Sequence, residues 1–411
     1  MHPLRSLNRD ERIKVALLSG WFFLTVTTLW MIKSVRVAVL LIHFGAKETP
    51  YVRLAGVAAV AVTVMFYSAA VNRLSRVGVV RATSAAFSVV LLGLWLTPRI
   101  GGASLGATRA FIWAIYILVD VYAVVMIELF WTYTNDVVRR DDANRLYGLI
   151  GLGGILGGVA GGSFVDVFTR AIGGSLNLLA VSAGMVLVCA ALGSLTEHIL
   201  RPPPRQRLPA DTRADASMRG LREVRRSRYL LLLVGIVAAY EFTSTLADFG
   251  VNVVFEHTHL GEVELTRLYG RVGWIASTVA VFAQVVIVPL VLPTKRFALL
   301  LPPVAMLVCA VGVVIVPVLA TVMVMTTVDR GLNYSVQQAT REALYIPLTD
   351  AQKYNAKAVI DMFVDRAAKA VASLVVLVVI ALAGESVRVA LLVGCTSTLV
   401  WIGSARRLGS S

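Results

Sequence analysis

Apolar residues recur along the chain in runs of about 20, the length a helix needs to cross a hydrocarbon core of roughly 30 Å, with short polar turns between them. The runs fall near 14–35, 53–71, 80–98, 110–135, 147–168, 176–198, 229–254, 268–292, 296–317, 319–345, 356–383 and 386–404. They predict twelve spanning helices, the tenth with the softest edges because Asp329, Arg330 and Arg341 interrupt it. One long polar segment, residues 199–228, rich in Arg and Pro, falls after the sixth run. The pattern is that of an all-α polytopic membrane protein: an N-terminal six-helix bundle over 1–198, a basic cytoplasmic linker over 199–228 and a C-terminal six-helix bundle over 229–411.

Two six-helix halves joined by a basic linker is the major-facilitator-like arrangement, in which each half contains an inverted pair of three-helix units. An internal echo agrees with it. Arg145-Leu-Tyr-Gly-Leu-Ile-Gly opens the fifth span and Arg267-Leu-Tyr-Gly-Arg-Val-Gly opens the eighth. Both are second helices of a three-helix unit, and they enter the membrane from opposite sides. Composition excludes a soluble chain, because 57% of the 411 residues are hydrophobic and only 15% are charged, against about a quarter charged in soluble domains. The net charge of +15 reads as topology. Arg5, Arg9, Arg12 and Lys14, then Arg73, Arg76 and Arg81, Arg139, Arg140 and Arg145, Lys295 and Arg296, Lys353 and Lys357, and Arg406 and Arg407 all fall on one side. That side is cytoplasmic by the positive-inside rule, so both termini are expected in the cytoplasm of an inner membrane, and no nucleic-acid partner is implied. The first apolar stretch follows positive residues as a signal peptide would, but no small-residue cleavage site follows, so it is read as a retained helix.

Charge inside the spans is the chemically informative feature. Lys357, Asp361, Asp365 and Lys369 recur every four residues in the eleventh span, with Arg366 beside them. On a regular helix these form one stripe about 18 Å long. Ionisable groups facing hydrocarbon cost roughly 2.5 kcal/mol or more each, so the stripe must face protein or water. Further charges occur in the first span or its edge (Lys33, Arg36), the fourth (Asp120, Glu128), the seventh (Glu241, Asp248) and the tenth (Asp329, Arg330, Arg341, Glu342). The first, fourth, seventh and tenth helices line the central cavity in the facilitator architecture, which predicts a polar midplane cavity rather than scattered structural pairs. Cations there suit an anionic substrate, and interleaved acids suit alternative ion pairs that reform when the site empties. Glu128, Arg341, Lys357, Asp361 and Asp365 are candidates for gating charges. Arg341, Lys357 and Asp361 lie near enough to the cytoplasmic end to snorkel.

Other features read as structure. Gly153, Gly157 and Gly161 form one ladder at four-residue spacing and Gly154, Gly158 and Gly162 a second; close helix packing explains them better than a phosphate loop, since no strand or Lys-Ser follows. Glu256-His257-Thr258-His259 reads as a solvated external turn rather than a metal site. Cys189, Cys309 and Cys395 are isolated within apolar spans, which implies neither disulfide nor metal. No nucleophile, base or metal constellation stands out, so an enzyme is not expected, and no cofactor is.

Two segments resemble the non-mitochondrial ATP/ADP translocases, the nucleotide exchangers of plastids and intracellular bacteria. One is Glu128-Leu-Phe-Trp-Thr-Tyr-Thr-Asn-Asp, continuing through Ala143-Asn-Arg-Leu-Tyr-Gly-Leu-Ile-Gly. The other runs from Arg341-Glu-Ala-Leu-Tyr-Ile-Pro-Leu through Lys357-Ala-Val-Ile-Asp to Arg366 and Lys369. The resemblance implies a twelve-helix carrier that exchanges nucleotides or related anions by alternating access. It also implies substrate-binding roles for Lys369 and Arg366, for Asp248 in place of a family glutamate, for Lys33 or Arg36, and for Asp120. Where the family has further fixed charges this chain has Asn252, Asn333 and Gln338, which leaves the choice of nucleotide or other anion open. The partners expected are thus an anionic small molecule and the lipid bilayer, with the carrier acting as a monomer. Two other readings use the same residues: a proton-coupled carrier of another solute, working through Asp120, Glu128 or Asp248, and a non-transporting scaffold or sensor that keeps a carrier fold.

Overall fold

The computed structural model describes residues 8–100, 105–138, 140–201, 222, 224–345 and 360–409. Helices follow the apolar runs and extend beyond most of them. They are α1 (Arg9–Phe44), α2 (Thr49–Arg73), α3 (Arg76–Ile100), α4 (Leu105–Val137), α5 (Arg140–Phe168), α6 (Asn177–Leu200) and α7 (Arg228–Glu256). Then come α8 (Glu262–Phe282, continued by a π turn Ala283–Ile287 into Val288–Val291), α9 (Lys295–Ile315) and α10 (Leu319–Leu332, a π turn Asn333–Gln337, then Gln338–Leu344). The last two are α11 (a π turn Ile360–Val364, then Asp365–Ala383) and α12 (Val387–Gly409).

Among the described residues, 11 helices are long and apolar enough to cross a membrane. The twelfth expected span is α10. Its charged and amide residues dilute its hydropathy, and a π turn breaks its regular geometry. Large apolar side chains such as Met65, Phe66, Leu290 and Leu382 stand exposed on the helix surfaces, a surface suited to lipid and not to water.

The helices form two compact units. The first draws on Met1–Ile42, Ala58–Arg207 and Gly261–Ile275. Its centre is aromatic: Trp21 meets Phe130 and Tyr133 edge-on at 5.7 and 5.0 Å, and Phe22 stacks on Phe130 at 4.4 Å. The glycine ladder of α5 is a packing seam against α1. A Cβ added at Gly153 or Gly161 would stand 2.5 Å from the carbonyl oxygen of Ser19 or Thr27, and one at Gly157 would strike that of Phe23. Ladder and partner residues both step by four, so the two backbones run in contact over about two turns. Thr27 Oγ1 adds a hydrogen bond to the Gly157 carbonyl at 3.1 Å.

The start of α8 joins this unit through the second glycine row. A Cβ on Gly270 would lie 2.9 Å from the Gly162 carbonyl oxygen. Arg267, from the echoed motif, donates to the Asp166 carbonyl at 2.7 Å, and Arg271 grips both Asp166 carboxylate oxygens at 3.0 Å.

The second unit comprises His43–Val57, Leu208–Leu260 and Ala276–Ser411. Here α7 lies along α12, with Thr243 and Thr398 hydroxyls 3.3 Å apart and Tyr240 edge-on to Trp401 at 5.4 Å. Ser227 caps α7, its hydroxyl accepting the Leu230 N–H at 3.3 Å. Such a cap offsets one of the unpaired amides of a helix start.

Candidate functional site

Glu241 and Asp248 are seven residues apart on α7, two turns and roughly 10.5 Å along one face. Each carboxylate collects cations from other helices of the second unit. Lys369 of α11 lies 3.3 Å from Glu241 and 3.0 Å from Asp365, one turn earlier on its own helix. Arg366 stands 3.8 Å from Asp365. Two carboxylates and two cations make this cluster balanced.

Two turns further along, Asp248 takes Arg53 of α2 at 3.0 Å and Arg330 of α10 at 3.7 Å. Between the clusters Ser244 donates to Asp329 at 3.2 Å. Beyond Asp248 the same face continues to the helix end. Asn252 donates to Thr49 Oγ1 at 3.4 Å, and Glu256 accepts the Ala46 N–H at 2.6 Å. One polar seam on α7 thus ties together α2, α10 and α11.

The first unit has its own charge pair. Arg36 of α1 is ion-paired with Asp120 of α4, and its guanidinium lies 4.3 Å from the ring centre of Tyr116, one turn before that carboxylate. Lys33 lies over the Trp30 ring at 5.1 Å. Elsewhere in this unit Arg76 lies 3.2 Å from Asp136 and 3.4 Å from Glu197, while Tyr133 donates to Glu197 at 2.8 Å. Asp136 lies in the first of the two resembling segments.

Of the residues picked out in the sequence, the structure brings Arg36 to Asp120, Lys369 to Glu241 and Asp365, and Arg366 to Asp365. Asp248 sits with two arginines. Glu128 joins neither cluster: its exposed carboxylate accepts from Thr132 of its own helix at 3.3 Å. Arg341 donates to Gln338 of its own helix at 2.8 Å. Lys357 lies outside the described residues, as does the side chain of Asp361. The π turn Ile360–Val364 changes the register between Asp361 and Asp365, and among the described residues the four-residue spacing on regular helix runs from Asp365 to Lys369.

Arg53 escaped the sequence reading because it stands at the edge of the second apolar run, where a cation usually marks a boundary. Its signal was its side: it lies at the base-poor end of that span. Arg330 was visible as an intramembrane charge but without a partner to give it a role.

Ion pairs join separate helices of this polytopic all-α chain, and solved transporters share its fold. One is a bacterial homolog to the human lysosomal transporter Spinster, inward-facing and unoccupied, with TM-score 0.61, 13% identity and coverage of 98% of this chain and 97% of that one. Another is a bacterial homologue of the iron transporter ferroportin, inward-facing, with TM-score 0.62, 12% identity and coverage of 99% and 100%.

The chain belongs to the TLC ATP/ADP transporter family, whose profile matches residues 97–328 and 269–411. Relatives include ADP,ATP carrier protein 1 of Chlamydia muridarum, 25% identical over 64% of this chain and 57% of that one. ADP,ATP carrier protein 2 of Chlamydia pneumoniae is 23% identical over 72% and 64%. The chloroplastic ADP,ATP carrier protein 1 of Arabidopsis thaliana is 24% identical over 60% and 45%. The chain therefore spans less than two thirds of the length of these carriers.

Proposed function

We propose that the protein exchanges adenine nucleotides, or closely related phosphorylated anions, across an inner membrane by major-facilitator-type alternating access. The observation that carries this reading is the polar seam of α7, where cations from three other helices meet two carboxylates in a chain of an ATP/ADP transporter family. Phosphate oxygens compete with those carboxylates for the same cations. When the anion leaves, Glu241, Asp365 and Asp248 take the cations back. Leaving one partner of a buried pair alone costs about 3–5 kcal/mol, so an empty carrier in mid-transition is disfavoured and transport favours exchange over net flux. Arg36 and Asp120 supply a second breakable pair in the first unit. The carrier acts as a monomer with both ends of the chain in the cytoplasm.

Proteoliposomes test this. Vesicles loaded with ADP are expected to take up labelled ATP or ADP, and empty vesicles to take up little. Rapid uptake into empty vesicles would remove the exchange mechanism. Uptake driven by a pH gradient and indifferent to excess ATP and ADP would replace the nucleotide reading with a proton-coupled one.

A further inference from the structure

We propose that Arg53 and Arg330 are the phosphate-receiving pair of this carrier, and that Asp248 is the anion they hold when phosphate is absent. The inference rests on the nucleotide-carrier reading and assigns its recognition chemistry to two residues outside the two resembling segments quoted above.

Three elements of the second unit converge here: the second turn of α2, the C-terminal third of α7 and the charged centre of α10. Each Asp248 oxygen serves a different arginine, Oδ2 facing Arg53 at 3.0 Å and Oδ1 facing Arg330 at 3.7 Å. Two guanidiniums held apart by one two-oxygen anion is an arrangement that a phosphate reproduces, with more charge and more oxygens. Planar guanidinium forks match phosphate oxygens in pairs, which an ammonium does not.

Exposure gives the order of approach. The Asp248 side chain is 35% exposed, whereas Arg53 is 16% and Arg330 10% exposed. The carboxylate is thus the accessible member, with both cations behind it. Arg53 is also anchored independently of Asp248, donating to the Thr245 carbonyl at 3.3 Å, so its guanidinium stays in position when the carboxylate is displaced. Lys369 differs, because its ammonium lies between two carboxylates, Glu241 and Asp365, and an arriving anion must displace both.

The proposal predicts opposite signs for the two sides of the pair. Binding of ATP, ADP and pyrophosphate to the purified full chain is measured by thermal shift, and exchange by counterflow in proteoliposomes. R53Q and R330Q are expected to weaken all three ligands by about tenfold or more, and R53K, which keeps charge but loses the fork, to stay weak. D248N is expected to tighten pyrophosphate by about tenfold while slowing exchange, because the carboxylate charge that competes with phosphate for the two arginines is gone. A pair that only staples helices would give the contrary result, D248N weakening binding as R53Q does, and that overturns the proposal. So does unchanged binding in both R53Q and R330Q while the wild type responds. A wild-type protein that answers to none of the three ligands overturns the carrier reading together with this one. Where R53Q or R330Q yields no monodisperse protein, the sign of the D248N effect decides.

Discussion

Lys369 is the residue on which the two carboxylates of the balanced cluster depend. Its removal leaves Glu241 and Asp365, both largely buried, with Arg366 at 3.8 Å from Asp365 as the remaining cation partner among the described residues. K369Q is expected to abolish counterflow and to destabilise the protein by about 3 kcal/mol, read as a lower unfolding temperature. Adding E241Q to it is expected to return much of the stability and none of the exchange, which separates a substrate-facing charge from a staple. Glu385, in the turn between α11 and α12, is a milder case. Partial burial holds its pKa above the ordinary carboxylate value, Glu256 adds to the shift, and Lys47 and His257 oppose it. A carboxyl that binds its proton more tightly in the folded chain subtracts stability once ionised, and that loss is relieved as pH falls through its folded pKa. E385Q is therefore expected to raise the unfolding temperature at neutral pH, with the gain fading in acid. At this scale the resemblance singled out Lys369 and Arg366 but left Lys33 and Arg36 as alternatives. The structure pairs Arg36 with Asp120, a contact between α1 and α4 that no local spacing encodes.

The α5 glycine ladder was legible in the sequence because small residues at four-residue spacing have one simple physical use, close backbone contact. It carries a prediction of its own. G157V drives a branched side chain into the Phe23 carbonyl of α1 and is expected to cost about 1–3 kcal/mol, visible as lower yield and earlier thermal unfolding. G148A and G151A, where an added Cβ meets nothing within 4 Å, are the matched controls and are expected to change neither. The π turns were not legible. An extra residue in one turn leaves an apolar run apolar, so hydropathy passes over Ala283–Ile287, Asn333–Gln337 and Ile360–Val364 alike. Two of the three adjoin site residues, the first following Arg330 by three positions and the second directly preceding Asp365 and Arg366. A widened turn re-aims the side chains beside it, and such turns recur at functional sites. The stripe from Lys357 to Lys369 supposes a regular helix, and the turn at Ile360–Val364 interrupts that geometry before Asp365.

For the whole molecule the number of crossings turns on α10. Eleven described helices meet the length and hydropathy needed to span a bilayer, and an odd count places the two ends of the chain on opposite sides. With α10 the count is even and the ends share a side. Charge in α10 does not argue against insertion, because several of the polar groups that lower its hydropathy are turned to partners. Asp329 meets Ser244, Arg330 meets Asp248, and the hydroxyls of Ser335 and Thr340 return to the carbonyls of Gly331 and Val336. A polar group satisfied within the protein carries little of the cost it would have against lipid. Basic residues at the α2–α3 turn, Arg73 and Arg76, and at the start of α9, Lys295 and Arg296, then fall on the same side as both ends, as the positive-inside rule requires. Single cysteines at Asn8, Gly409 and Thr258 test this in a background where Cys189, Cys309 and Cys395 are replaced by alanine. In intact cells an impermeant thiol reagent is expected to reach position 258 alone, and positions 8 and 409 only after the membrane is opened. Labelling of one end from outside and the other from inside would mean that α10 does not cross, and Arg330 would then lie outside the bilayer.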